Sequence, residues 1–184
     1  MTKSPFITST LRLASIVRTK KYMAIICKDR WGSSYFSPAG ESSCIDRKET
    51  SPVWIGETLK EALFSSQDFF VKLGGYPLPL DKLEAAKIES AACNHAFWCG
   101  IAERFRFKDT RAARSKSALV FVSWSSDKTD QVKLLASRGS GTSHSAWYEG
   151  ENDGKVFHVS INASDEEMGE VAVRALDACR PNYA

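Results

Sequence analysis

The chain has 184 residues, with 25 Lys and Arg against 22 Asp and Glu, a formal net charge of +3, and 43% hydrophobic residues. That length predicts one domain, and five Trp, five Tyr and ten Phe supply enough apolar surface to exclude a disordered chain. No stretch approaches the ~20 consecutive apolar residues of a membrane-spanning helix, and +3 is too small a charge to dictate a polyanionic partner.

In chain order, the first strand is predicted over about Ser9 to Val17, where Leu11, Leu13, Ser15 and Val17 share one face at period two. Tyr22 to Cys27, bounded by Lys20, Lys21 and Lys28, is a continuous apolar run that reads as a buried strand. Between Trp31 and Pro52 the density of Gly, Ser, Pro and Asp predicts an irregular loop with at most short strand pieces. Ile55, Leu59 and Leu63 then recur every four residues with Glu57, Lys60 and Glu61 between them, the pattern of an amphipathic helix. Leu73 to Pro79 (LGGYPLP) breaks the chain, and Asp81 is the predicted N-cap of a second helix from Lys82 to about Cys93, extendable towards Ile101.

The last third reads as mostly antiparallel. Strands are predicted over Ala118–Trp124 and Gln131–Ala136, followed by a flexible loop at Arg138–Ser145 (RGSGTSHS). Trp147 and Tyr148 belong to another strand, Asn152-Asp153-Gly154 to a hairpin turn, and Lys155–Ile161 to the returning strand. Ser164 with Glu167 three residues on forms the capping-box pattern of a final helix, closed by Arg180 and Pro181, whose apolar stripe includes Met168, Val171, Ala175, Leu176 and Cys179. With no internal repeat, no linker and no alternating βαβα rhythm, the expectation is an α+β fold. One domain over residues 1–184 would hold a largely antiparallel central sheet of about five to seven strands with helices packed against it.

No catalytic constellation emerges. Cys93, His95 and Cys99 are only three local candidates for a metal that wants four, and Cys93 and Cys99 point about 240° apart on a helix. Gly139-Ser140-Gly141, despite nearby His144, lacks the strand–elbow–helix setting of a nucleophilic serine. Gly150 to Lys155 (GENDGK) is one residue short of a phosphate loop and has no Ser or Thr after the Lys. The acid pairs Glu149/Glu151 and Asp165/Glu166 read as solvated surface. The chain is therefore expected to be no enzyme and to carry no metal or cofactor. Its five scattered cysteines (27, 44, 93, 99 and 179) are an odd number. Arg12 and Arg18 also interrupt any secretory apolar core, so reduced thiols in the cytoplasm are expected.

Charge distribution says more than net charge. Residues 103–116 hold six cations against two acids, whereas residues 117–184 hold six cations against ten acids. Within the basic block Arg104-Phe105-Arg106-Phe107-Lys108 alternates cation and aromatic. On a strand this would show Arg104, Arg106 and Lys108 to phosphates, with Arg111 and Arg114 following, and a single-stranded nucleic-acid-binding module is the alternative function.

Three segments carry a family resemblance: WGSSYFSP at Trp31–Pro38, WIGETLKEAL at Trp54–Leu63, and SINASDEEMGEVAVRALDACR at Ser160–Arg180. Together they resemble an immunity-protein family of bacterial contact-dependent growth inhibition systems. The resemblance implies an α+β, non-enzymatic cytoplasmic inhibitor. Such a protein binds the C-terminal toxin domain, commonly a nuclease, of a large surface-exposed effector. For a basic toxin cleft, the hairpin around Trp147, Tyr148, Glu149, Glu151 and Asp153 is the expected partner-binding element, because it joins two large aromatics to three acids within seven residues.

Overall fold

The computed structural model describes residues 9–139, 142–147 and 154–184. In chain order its elements are β1 (Leu11–Arg18), β2 (Tyr22–Arg30), β3 (Ser34–Phe36), β4 (Ser43–Asp46), α1 (Pro52–Ser65), α2 (Phe69–Lys72), α3 (Leu80–Arg104), α4 (Thr110–Arg114), β5 (Ala118–Ser125), β6 (Gln131–Arg138), β7 (Ser145–Ala146), β8 (Val156–Ser160) and α5 (Asp165–Asp177). β1 is central, with Ile16 opposite Ile25 of β2 on one side and opposite Val120 of β5 on the other. Beyond β2 lie β3 and β4, and beyond β5 lie β6, β7 and β8; each of these strand pairs is antiparallel. The expected α+β fold with a largely antiparallel sheet is what the chain adopts, the sheet being curled and flanked by helices.

Helices cover both faces of this sheet. Ala14, Ile16, Met23, Ile25, Val120, Val122 and Leu134 pack against α1 and α5 in the larger core. Val17, Tyr22, Ala24 and Ile26 point the other way and meet Trp98, Ile101, Ala102 and Ala113 of α3 and α4. Two covered faces explain why Tyr22–Cys27 is apolar without alternation. They also explain why the Leu11, Leu13, Ser15, Val17 face is the less buried one: the large core takes the intervening residues.

The caps are local chemistry. Ser51 Oγ accepts from Trp54 N ahead of Pro52, whose fixed φ suits the first helical position, and Ser164 Oγ accepts from Glu167 N to start α5. Asp165, Glu166 and Glu167 place negative charge at the positive end of the α5 dipole. Asp81 does not cap α3. The helix already starts at Leu80, Pro79 occupies the cap position without a side-chain hydrogen bond, and Asp81 is a first-turn acid instead. Proline's preset φ competes successfully with the aspartate for setting the boundary. The stretch 31–52 is also more ordered than its composition suggests, because β3 and β4 both pair with the long β2 and a 3-10 turn follows at Arg47–Glu49. At the predicted flexible loop, β6 runs on to Arg138 and pairs with Ser145 of β7, so both ends of that segment are strand; Ser140 and Gly141 lie outside the described residues.

Asp68 ties the start of β1 to the far side of the fold. Its Oδ2 accepts from Leu11 N (2.7 Å) and from Arg30 Nη1 (3.1 Å), while Oδ1 accepts from Val71 N (3.0 Å) to cap α2, and the residue is only 2% exposed. Asp68→Asn keeps one acceptor but sets an amide NH2 against a backbone N–H and strips Arg30 of its counter-charge. The expected loss is about 2 kcal/mol, read as a lower urea midpoint at unchanged m-value.

Candidate functional site

The alternating segment 104–108 is not a strand. α3 continues to Arg104, Phe105 terminates it, and Arg106 takes a left-handed turn at φ +56 before α4 begins. The sequence pattern fails here because the preceding Ala-rich helix propagates into it. Phe105 and Phe107 instead pack on Tyr22, with ring centroids at 5.3 and 6.1 Å, and Tyr22 Oη donates to Ala113 O at 2.6 Å. The five cations disperse accordingly. Arg104 donates to Cys44 O (2.8 Å), Arg106, Lys108 and Arg111 are exposed, and Arg114 lies over the Trp98 ring at 5.5 Å. The aromatics that would stack bases are committed to the fold.

Arg114 leads to a different feature, a cavity of about 90 Å³ where the loop before β7 folds over the α3/α4 side of the sheet. Lys28 of β2, Ser15 of β1, Ser117 just ahead of β5, Asn94 of α3 and His144 line it with Arg114. Ser117 Oγ donates to Arg114 O (2.8 Å), so the 3.0 Å contact with His144 Nε2 is an imidazole N–H donating to that hydroxyl. Burial and then the Arg114 charge hold the His144 pKa below its usual value, which keeps the ring neutral. The same two causes, in the same order, pull Lys28 down to about 8.

The candidate partner-binding segment does not join two strands paired as a hairpin: β7 ends at Ala146, leaving Trp147 outside it, and β7 and β8 pair with successive stretches of β6, Ala146 opposite Ser137 and Val156 opposite Leu135. Tyr148, Glu149, Glu151 and Asp153 lie outside the described residues. Trp147 belongs to neither core: it is half-buried, with Lys155 Nζ at 4.8 Å and Arg138 at 5.8 Å from its ring centroid, and its buried Nε1 has no hydrogen-bond acceptor among the described residues. A second acidic surface sits on α1, where Glu41, Glu57, Glu61 and Asp165 rim an open depression of about 660 Å³ beside Phe64. Phe64 is 57% exposed and rests edge-on against Trp124. Among the described residues only Asp165 of these acids has a salt bridge, to Lys60 Nζ at 2.7 Å. Trp124, beside Phe64, pairs with Val132 near the start of β6, whereas Arg138, beside Trp147, ends it, so these two ends of β6 are six residues of strand apart, about 20 Å. Sequence reasoning placed Glu57 and Glu61 on the outer face of a helix but had no signal that Glu41 and Asp165 would join them.

Cys93, Cys99 and the other three cysteines are free thiols, and Cys99 Sγ lies 3.4 Å from His95 Nε2. Among the described residues no group of three or more His, Cys, Asp and Glu is placed to hold a metal ion, and no helix is long and apolar enough to cross a membrane.

Comparison with known proteins bears on the three segments singled out above. The family model described as CdiI, CDI immunity protein, matches residues 12–179. A protein of unknown function from Neisseria meningitidis has the same fold, with a TM-score of 0.74 at 18% identity over 96% of this chain and 100% of its own. A CdiA-CT/CdiI toxin and immunity complex from Yersinia pseudotuberculosis contains a chain matching with a TM-score of 0.70 at 14% identity, over 92% of this chain and 97% of that one. No curated protein sequence matches.

Proposed function

This chain belongs to the CDI immunity protein family, and from that premise we propose that it binds a cognate CdiA-CT toxin domain and neutralises it stoichiometrically, in the cytoplasm and without catalysis. The observation that carries the reading is the family match, which spans the sheet and both helical layers rather than one motif. A nuclease toxin with a basic cleft fits the acidic C-terminal part of the chain, since opposite charge both steers association and covers a phosphate-binding surface. The segment carrying Trp147, Tyr148, Glu149, Glu151 and Asp153, between β7 and β8, is the proposed contact. Supporting it, Trp147 serves neither core, and the cations Arg138 and Lys155 hold its ring at the sheet margin.

Co-expression tests the function. A cognate CdiA-CT toxin domain should arrest growth when induced alone, and induction together with the immunity protein should restore colony formation by several orders of magnitude. Equal killing with and without the chain, both proteins being present in soluble form, refutes the proposal.

A further inference from the structure

The cavity beneath the β7 loop collects positive charge and hydrogen-bond donors with no acid to balance them. Among the described residues Lys28 Nζ makes no salt bridge or hydrogen bond, and it lies 5.6 Å from the Phe36 ring centroid. Arg114 lines the same space with its guanidinium over the Trp98 face, and among the described residues it makes no salt bridge. Asn94 uses its Oδ1 to accept from Trp98 Nε1 (3.0 Å), which leaves its NH2 uncommitted, and Ser15 adds a hydroxyl. No Asp or Glu lines the cavity among the described residues.

Two cations facing each other across a part-buried space repel, and no described acid lines the cavity to compensate them. Position 28, two residues along β2 from Ile26 and paired with Leu13 and Phe36, would serve folding better with an apolar residue. The arrangement makes physical sense when a negative group enters. The volume of about 90 Å³ is ample for one small oxyanion. An Arg fork with a Lys point charge is the donor set that carboxylate and phosphate oxygens select.

We propose that this cavity is an oxyanion site, in which Lys28 and Arg114 together hold one phosphate, sulfate or carboxylate group with Asn94 and Ser15 completing its hydrogen bonds. The group arrives either as a free anion or on an acidic side chain of the bound partner. Both sources use the same chemistry. An anion stabilises the charged form of Lys28, so affinity falls as pH rises above its free value of about 8. The other charged or titratable groups facing Lys28 are Arg114 and His144; the neighbouring Cys27 thiol, pushed up to about 12 by burial, stays neutral over that range.

Sulfate is the probe, because its charge is constant between pH 6 and 10. Low-millimolar sodium sulfate, added to the full chain against sodium chloride of equal ionic strength, should produce saturable amide NMR shifts localised at Ser15, Lys28 and Ser117. Lys28→Met and Arg114→Gln should each weaken the apparent Kd about 10-fold or more. Lys28→Met is matched in length and relieves a repulsion, so it is expected to fold. In the unaltered chain the affinity should drop at pH 9.5 relative to pH 7. Shifts that do not saturate, that are matched by chloride, or that persist unchanged in Lys28→Met overturn the site. A second arm repeats the titration with the toxin domain bound: loss of the sulfate response assigns the oxyanion to a partner carboxylate, and retention assigns it to a free anion. Only that arm rests on toxin binding, so failure of the site and failure of the proposed function are separable.

Discussion

Gly169→Ala should destabilise the protein by about 3 kcal/mol, at the upper end of what overpacking costs, and lower the Tm by roughly 6–12 °C. The reason is how closely α1 and α5 cross. A Cβ on Gly169 would lie 1.8 Å from Pro52 O, and a Cβ on Gly56 would lie 1.8 Å from Asp165 O. Each helix thus sets a glycine against a backbone carbonyl at the other's first turn, and neither obstacle is a flexible side-chain tip that can swing aside. Relief requires the helices to part by more than an ångström, which would unseat Ile55, Leu59, Met168 and Val171 from the large core. Gly56→Ala should show the same loss. Gly100 is the internal control: it sits in α3 with open space where its Cβ would go, so Gly100→Ala should stabilise by about 0.5 kcal/mol through helix propensity alone. Urea unfolding of the three variants checks all of this. A Gly169→Ala midpoint equal to that of the unaltered chain would mean that the close crossing is not required.

The same two glycines show where sequence reading stops. Gly56 and Gly169 stand inside the segments that carry the family resemblance, and the helices around them are legible from the four-residue spacing of Ile55, Leu59 and Leu63 and from the Ser164 cap. That the two helices touch through those glycines is a tertiary fact with no one-dimensional signature. Strands whose burial is one- or two-sided were legible too, since apolar runs and alternation follow directly from pleat geometry. Residues 104–108 were misleading because period-two alternation over five residues is too short to outweigh a helix already running from Leu80. The cationic cavity was out of reach for another reason. It gathers residues from β1, β2, α3, α4 and the loop before β7, and Lys28 in the sequence looks like an ordinary charged flank of an apolar strand.

Rate constants, rather than affinity alone, will locate the toxin-binding surface. Reversing Glu149, Glu151 and Asp153 to Lys should slow association with the toxin domain 10-fold or more, the span that electrostatic steering controls, and should abolish protection of toxin-exposed cells. Because the change also raises the net charge of the whole chain, a matched control is needed. Reversing Glu41, Glu57 and Glu61, which are exposed around Phe64 near the opposite end of β6, alters net charge by the same amount. On the proposal for residues 147–153 this control should change the on-rate by no more than about 3-fold, since charges farther away than a Debye length of ~8 Å are largely screened. Trp147→Ala should leave the on-rate nearly unchanged and raise the dissociation rate by about 30-fold, because a desolvated aromatic anchor acts after encounter whereas rim charges act before it. Thermal melts of each variant separate binding effects from folding defects. If instead the control triple slows association and the triple at Glu149, Glu151 and Asp153 does not, the interface lies on α1, with exposed Phe64 as its apolar anchor and Glu57 and Glu61 facing the toxin's cations.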